Sequence, residues 1–262
     1  MGAIKRYAKP LCTILPLFGW WYSTWAKRYG SHPEKYPLKK RYKCLHNAFV
    51  KMTKYLNVDV YFEGLENIPK DINVCFVGNH IGDYDPIALS TGLEKPTAFV
   101  GKIEILKFGL IPTAMKAVES AFIDRGDLKQ TFRTMKRVQS QMETQKKNWV
   151  IFPEGTRRKD SRLNIAEFHA GTFRTPMKAK IAIMPFALVG TDRIFKTSPV
   201  YKRYPVHVKF LKPIMPEDYE GKETNTIAKY CQNEIQRTIS FDLRRKDHAI
   251  MTKMYGKKYK PI

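Results

Sequence analysis

Acidic residues are scarce in this chain of 262 residues: 24 Asp and Glu stand against 47 Lys and Arg, a formal net charge of +23. A surplus of that size argues against a cationic partner and for an anionic one, whether nucleic acid, an anionic lipid surface or an acidic protein. Cysteine is scarcer still. Cys12, Cys44, Cys75 and Cys231 are far apart, with no Cys-x-x-Cys and no Cys/His metal spacing. They read as reduced thiols in a cytoplasmic setting, which rules against a disulfide frame or a structural zinc site. No apolar run reaches the roughly 20 residues that a spanning helix needs. Pro10 to Trp25 is apolar but shorter than that, and Pro16 and Gly19 interrupt it. Lys5, Arg6 and Lys9 precede it as in an export signal, yet no small-residue cleavage site follows and Lys27 and Arg28 close it, so a cleaved signal peptide is not expected. Internal repeats and low-complexity tracts are missing too.

What the sequence does have begins with that N-terminal run. Trp20, Trp21, Tyr22 and Trp25 crowd it, with cations at both ends. Aromatic rings with one greasy and one wet side suit the headgroup boundary of a membrane, and a core helix is the plain alternative. After a polar link from Ser31 to Arg41, the segment Cys44 to Val58 puts Leu45, Phe49, Met52 and Leu56 on one helical face. The two segments make an amphipathic helical hairpin over residues 1–57, lying on a membrane or packed beside the main domain.

From Val58 onward the pattern changes to short β-rich runs alternating with helical stretches, as in an α/β domain spanning residues 58–245. Strands are expected at Val58–Phe62, Asn73–Val77, Thr97–Val100, Ser120–Ile123, Asn148–Phe152, Ile181–Val189 and Val206–Leu211. The fold class is therefore α/β, a single mixed sheet of about seven strands flanked by helices. Leu128, Phe132, Met135, Val138 and Met142 recur at helical steps between Leu128 and Gln145, a stripe expected in the core. Ile227, Cys231, Ile235 and Ile239 do the same between Thr224 and Leu243. Residues 246–262 read as a basic tail, mobile or surface-bound.

Three strand ends carry the residues suited to chemistry. Asn79-His80-Ile81-Gly82-Asp83-Tyr84-Asp85-Pro86 follows the second strand, and open α/β sheets bind ligands at the carboxyl ends of their strands. A histidine and an aspartate five positions apart share no helix face, so they meet only if residues 81–84 turn, which Gly82 eases. Asp85 can then hold one ring nitrogen of His80 and leave the other to take a proton from a hydroxyl. Asp85 followed by Pro86 is also a good helix start, with Asp as N-cap and Pro in the first turn. Chance alone supplies such a His-Asp spacing in roughly one chain of this composition in four, so the surroundings must carry the reading. Phe152-Pro153-Glu154-Gly155-Thr156-Arg157-Arg158 and Phe122-Ile123-Asp124-Arg125-Gly126 end two further strands. Their arginines are forked donors suited to phosphate, and Gly155 lets a ligand approach the backbone. A base and two cations at strand ends describe a pocket for a phosphorylated alcohol.

With these residues in this order, the chain resembles the glycerolipid acyltransferases, most closely the 1-acylglycerol-3-phosphate (lysophosphatidic acid) acyltransferases. Four blocks between about residues 75 and 190 carry the likeness: His80 to Asp85, Phe122 to Arg125, Phe152 to Arg157, and Ile183-Met184-Pro185-Phe186. Lys102, Phe168 and Gly171 also stand where the family has such residues. Ala121 and Gly82 depart from it, at positions bearing on substrate fit. The resemblance implies acyl transfer from a thioester, acyl-CoA or acyl-acyl carrier protein, to the 2-hydroxyl of lysophosphatidate, giving phosphatidate. It implies His80 as base oriented by Asp85, Arg125 and Arg157 on the phosphate, and Glu154, Gly155 and Thr156 shaping the acceptor site. Lys102 or a backbone N–H becomes the candidate oxyanion donor. No cofactor, metal or covalent acyl-enzyme is called for, and the chain has no Gly-x-Ser-x-Gly elbow. Phosphate-rich coenzyme A, acidic carrier protein and an anionic membrane surface all suit the basic charge, and the expected setting is the cytoplasmic side of the cell membrane.

Three rival readings remain open at this point. Glycerol 3-phosphate or another lysolipid could be the acceptor. A nucleic-acid-binding protein fits the charge, but no recognised motif accompanies it and no nucleic-acid partner is expected. A metal-dependent hydrolase using His80, Asp83 and Asp85 needs further ligands that the sequence does not group with them.

Overall fold

The computed structural model describes residue 19 and residues 21–107, 111–144, 146–157, 164–195 and 201–256. Strands β1 (Val58–Glu63), β2 (Val74–Gly78), β3 (Thr97–Lys102), β4 (Ala121–Ile123), β5 (Asn148–Ile151), β6 (Ala182–Val189) and β7 (Tyr204–Phe210) form one sheet in the order β1-β7-β6-β2-β5-β3-β4. β6 and β7 run antiparallel and the other neighbours parallel, so the sheet is mixed. Both its faces are covered. In β2, Val74 and Phe76 join one apolar cluster while Cys75 and Val77 join the other, which is why the strand is apolar throughout.

Around the sheet lie α1 (Lys27–Ser31), α2 (Leu38–Tyr55), α3 (Asp85–Gly92), α4 (Ile111–Ala117), α5 (Leu128–Glu143), α6 (Gly171–Lys178), α7 (Pro216–Tyr219), α8 (Thr224–Thr238) and α9 (Arg244–Tyr255). Helix α2 begins at Leu38, so the last residues of the presumed link are helical. It buries Tyr42, Leu45, Phe49 and Met52 in the same cluster as Val74 and Phe76, so this amphipathic face packs on the sheet. A truncation ending at residue 57 would remove core along with any membrane contact. Of the aromatic run before it, residues 1–18 and Trp20 lie outside the described residues; Trp21 is buried and Trp25 is exposed. Among the described residues no helix is long and apolar enough to cross a membrane.

An ion cluster fixes α2 further. Arg41, buried inside α2, donates to Glu119 Oε1 at 2.5 Å, and Lys147, just before β5, donates to Glu119 Oε2 at 2.9 Å. Burial alone would raise the Glu119 carboxyl, but the hydrogen bonds from Arg41 and Lys147 outweigh it and hold the pKa below its usual value. A depressed folded-state pKa contributes stability above the unfolded carboxyl value, about 4.3, and that contribution is lost as pH falls through the folded value. Glu119→Gln should therefore lower the melting temperature by several degrees at neutral pH, since it leaves two buried cations unpaired. The gap from wild type should close as the melts are repeated toward pH 3, and a gap that stays constant would remove the cluster from the account.

Two other expectations need correction. The stripe on α5 is core only over its second half: Val138 and Met142 are buried, whereas Leu128 and Phe132 are 79% and 66% exposed. The basic segment after Arg244 continues as α9 to Tyr255, reached from α8 through a π-helical turn at Ile239–Leu243, and it buries Asp247 and Met251. Its lysines occupy the outer side of a packed helix. Lys257, Lys258 and Lys260 lie outside the described residues.

Candidate active site

The site grows from the end of β2. The Asn79 amide donates to Leu188 O at 2.9 Å and accepts from Leu188 N–H at 2.8 Å, which pins the residue after β2 to β6. His80 follows. Its backbone N–H donates to Glu154 Oε1 at 2.7 Å, and its ring stacks on Phe152 with centroids 4.2 Å apart and planes 17° from parallel. Residues 81–84 turn as expected, and His80 Nδ1 comes to 2.6 Å from Asp85 Oδ2. The His80 side chain is 19% exposed and that of Asp85 fully buried. One ring nitrogen is thus committed to a desolvated carboxylate while the imidazole stays reachable.

Asp85 does not cap its helix. It is the first residue of α3, with Tyr84 at the N-cap position. Its carboxylate reaches backward instead: Oδ2 accepts the N–H groups of Ile81 at 2.8 Å and Gly82 at 3.0 Å, besides the imidazole, and Oδ1 accepts the Thr191 hydroxyl. Three donors on Oδ2 leave it no geometry for the N–H groups of the first helical turn.

The Phe152–Arg157 block lies beside this loop because β5 is the parallel neighbour of β2, with Val77 opposite Ile151. Glu154 is buried, and both its oxygens serve the backbone, Oε1 at His80 N and Oε2 at Ala166 N, 2.7 Å each. Its influence on an acceptor runs through the loops it ties together. Gly155 has φ of +66°, and a Cβ there would run into the Arg125 guanidinium. Arg125 is thereby brought against the block from β4, two strands beyond β5. Arg157 is ion-paired with Asp83 of the His80 loop, its side chain still 48% exposed. The three expected strand ends therefore converge. Thr156 is exposed on the same turn, Lys102 ends β3 half-buried, and Arg158 lies outside the described residues. Among the described residues no three His, Cys, Asp or Glu side chains are grouped as metal ligands.

Sequence reasoning missed three participants. Phe152 carries a signal in hindsight, an aromatic at the end of the neighbouring strand. Asn79 adjoins the histidine, but its partner Leu188 is 109 residues away. Thr191 offers none, since its contact with Asp85 crosses 106 residues.

A buried acid-imidazole pair beside two arginines, at the carboxyl end of a mixed sheet, suits proton abstraction from a phosphorylated alcohol. The chain belongs to the acyltransferase family: residues 59–189 match the family model of that description. A probable 1-acyl-sn-glycerol-3-phosphate acyltransferase of Mycoplasma pneumoniae is 30% identical over 228 residues, 82% of this chain and 84% of its own. The counterpart in Mycoplasma genitalium is 31% identical, with 82% of each chain covered. In fold, the chain matches the crystal structure of the 1-acyl-sn-glycerophosphate (LPA) acyltransferase PlsC of Thermotoga maritima with a TM-score of 0.66, at 22% identity, over 89% of this chain and 96% of that one.

Proposed function

We propose that this enzyme moves a fatty acyl group from acyl-CoA or acyl-acyl carrier protein to the sn-2 hydroxyl of 1-acylglycerol 3-phosphate, giving phosphatidate. The observation that carries the reading is the 2.6 Å bond between His80 Nδ1 and Asp85 Oδ2, beside the converging Arg125 and Arg157. With Nδ1–H donated to the carboxylate, Nε2 is the ring's acceptor. The acceptor hydroxyl loses its proton to Nε2 as its oxygen attacks the thioester carbonyl. The tetrahedral intermediate then expels the thiolate, which recovers that proton from the imidazolium, leaving ester and free thiol. Lys102 or a backbone N–H of these loops receives the developing oxyanion. Arg125 and Arg157 take the acceptor phosphate, with Asp83 yielding or sharing Arg157. Gly155 and Thr156 line the acceptor, and Glu154 shapes the site by holding the loops.

The test is an assay of purified protein with lysophosphatidate and glycerol 3-phosphate, each against acyl-CoA and acyl-acyl carrier protein. Phosphatidate formation with one donor supports the proposal; acylation of glycerol 3-phosphate alone would replace the acceptor, and no product in any arm would end it. Gly155→Ala should displace Arg125 and strain the left-handed backbone. The expected result is a KM for lysophosphatidate raised about tenfold with the donor KM unchanged, read from steady-state kinetics.

The membrane reading puts the chain before Leu38 at the interface, on the cytoplasmic side, with α2 and α9 belonging to the acyltransferase domain. Because α2 packs on the sheet, and Trp21 and Ala26 join the same cluster, lipid contact falls to the exposed side before Leu38, where Trp25 lies. The exposed Leu128 and Phe132, flanked by Lys129 and Arg133, offer a second apolar and basic surface. Full-length protein should co-sediment with vesicles containing anionic lipid and much less with neutral ones. Replacing Leu128 and Phe132 together by Ser should weaken that binding, and equal binding to both vesicle types would argue against it.

A further inference from the structure

We propose that Thr191 is a positioning residue for acyl transfer, holding Asp85 in the orientation that presents His80; the inference rests on the reading of His80 as the base. Asp85 Oδ2 is crowded with three donors, the imidazole and the N–H groups of Ile81 and Gly82. Oδ1 faces the other way and receives the Thr191 hydroxyl, with Thr191 only 1% and Asp85 0% exposed. A carboxylate held on one oxygen can still pivot about its Cβ–Cγ bond. A donor on each oxygen stops that rotation, and with it any drift of the imidazole.

The surroundings are arranged to deliver that hydroxyl. β6 ends at Val189, and Gly190, at φ of +100°, turns the chain so that Thr191–Arg193 forms a short 3-10 turn over the His80 loop. That approach needs a glycine opposite: a Cβ at Gly82 would lie 2.9 Å from the Thr191 carbonyl and 3.0 Å from Asp192 N. Gly82 is thus clearance for the Thr191 turn. At its far end the turn is moored by Arg193, which donates to Asp247 Oδ2 of α9 at 2.6 Å, both groups buried. A turn fixed at both ends can hold a hydroxyl to the tolerance that acid-base chemistry needs.

Because the residue acts through Asp85 and touches no substrate, its loss should fall on kcat and spare KM. Thr191→Val keeps the shape and removes the hydroxyl; Thr191→Ser keeps the hydroxyl and removes the methyl. A hydrogen bond to a charged, buried acceptor sets the scale at about tenfold to a hundredfold in kcat. The experiment is steady-state kinetics on the full chain for Thr191→Val, Thr191→Ser, His80→Ala, Asp85→Asn and the Asp85→Asn/Thr191→Val double variant, each with its melting temperature. Support is a kcat lowered about tenfold or more in Thr191→Val with both KM values within about twofold. Thr191→Ser should recover most of the rate, and Thr191→Val should add less than about twofold to Asp85→Asn. Wild-type kcat in Thr191→Val beside an inactive His80→Ala overturns the role of Thr191 and leaves the base reading standing. Equal impairment of the Ser and Val variants, or full additivity with Asp85→Asn, overturns it as well. A wild-type rate in His80→Ala overturns the base reading and this proposal together.

Discussion

Replacing His80 with alanine is expected to lower acyl transfer by about 10²- to 10⁴-fold while the protein stays folded, with its melting temperature within a few degrees of wild type. The two halves of that result have separate causes. The rate should fall because the imidazole is gone and Asp85 cannot take its place: it is wholly buried, with both oxygens already accepting hydrogen bonds. The fold should survive because the His80 tie to Glu154 is made by its backbone N–H, which alanine keeps; the ring stack on Phe152 and the imidazole bond to Asp85 are given up, but Asp85 keeps its two backbone donors and the Thr191 hydroxyl. Circular dichroism and a thermal melt beside the kinetics check both halves. A variant that retains a tenth of the wild-type rate would sink His80 as the base.

Asp85→Asn has the opposite profile, costing stability as well as rate. Four donors converge on this one carboxylate: the His80 imidazole, two backbone N–H groups and the Thr191 hydroxyl. An amide offers a single acceptor oxygen and turns an NH₂ group toward donors, leaving buried N–H groups unsatisfied at about 1–3 kcal/mol each. For a chain of this length that corresponds to a melting temperature lower by roughly 5–15 °C. The rate should drop about 10³- to 10⁴-fold, because the imidazole loses both its tautomer and its orientation. Differential scanning calorimetry beside the assay separates the two effects. An unchanged melting temperature would mean that the donors are not held by Asp85, and the account of the loop would fail.

Most of the sheet was legible for a physical reason. Strands covered on both faces must be apolar throughout, so β2, β5 and β6 stand out as short apolar runs ended by Gly, Asn or Pro. Helix α8 announced itself by Ile227, Cys231 and Ile235 on one side. Periodicity reports which face of a helix is apolar and not how far the neighbour extends, which is why Leu128 and Phe132 were assigned to the core and are exposed. Charge hid the helical start at Leu38 and the packing of α9, where Met251 and Asp247 are buried among lysines and arginines. At the site, the His80–Asp85 pair was legible because it is local. The meeting of Arg125 with Gly155 and of Thr191 with Asp85 depends on strand order, which no local pattern encodes.

That strand order also sets when the protein can fold during its own synthesis. β1 has a single partner, β7, which begins at Tyr204, and β2 waits for β5 and β6 on either side. Emerging from the ribosome, the chain can join β2, β5, β3 and β4 once β5 is out, but β1 and the other side of β2 wait for β7 and β6, so the sheet is completed only when the domain is nearly made. The His80 loop is among the first parts translated and among the last completed, because Asn79 and Asp85 both await partners more than a hundred residues downstream. A chain that stops short of β6 and the turn after it carries the histidine and the aspartate but not the support that makes them a pair.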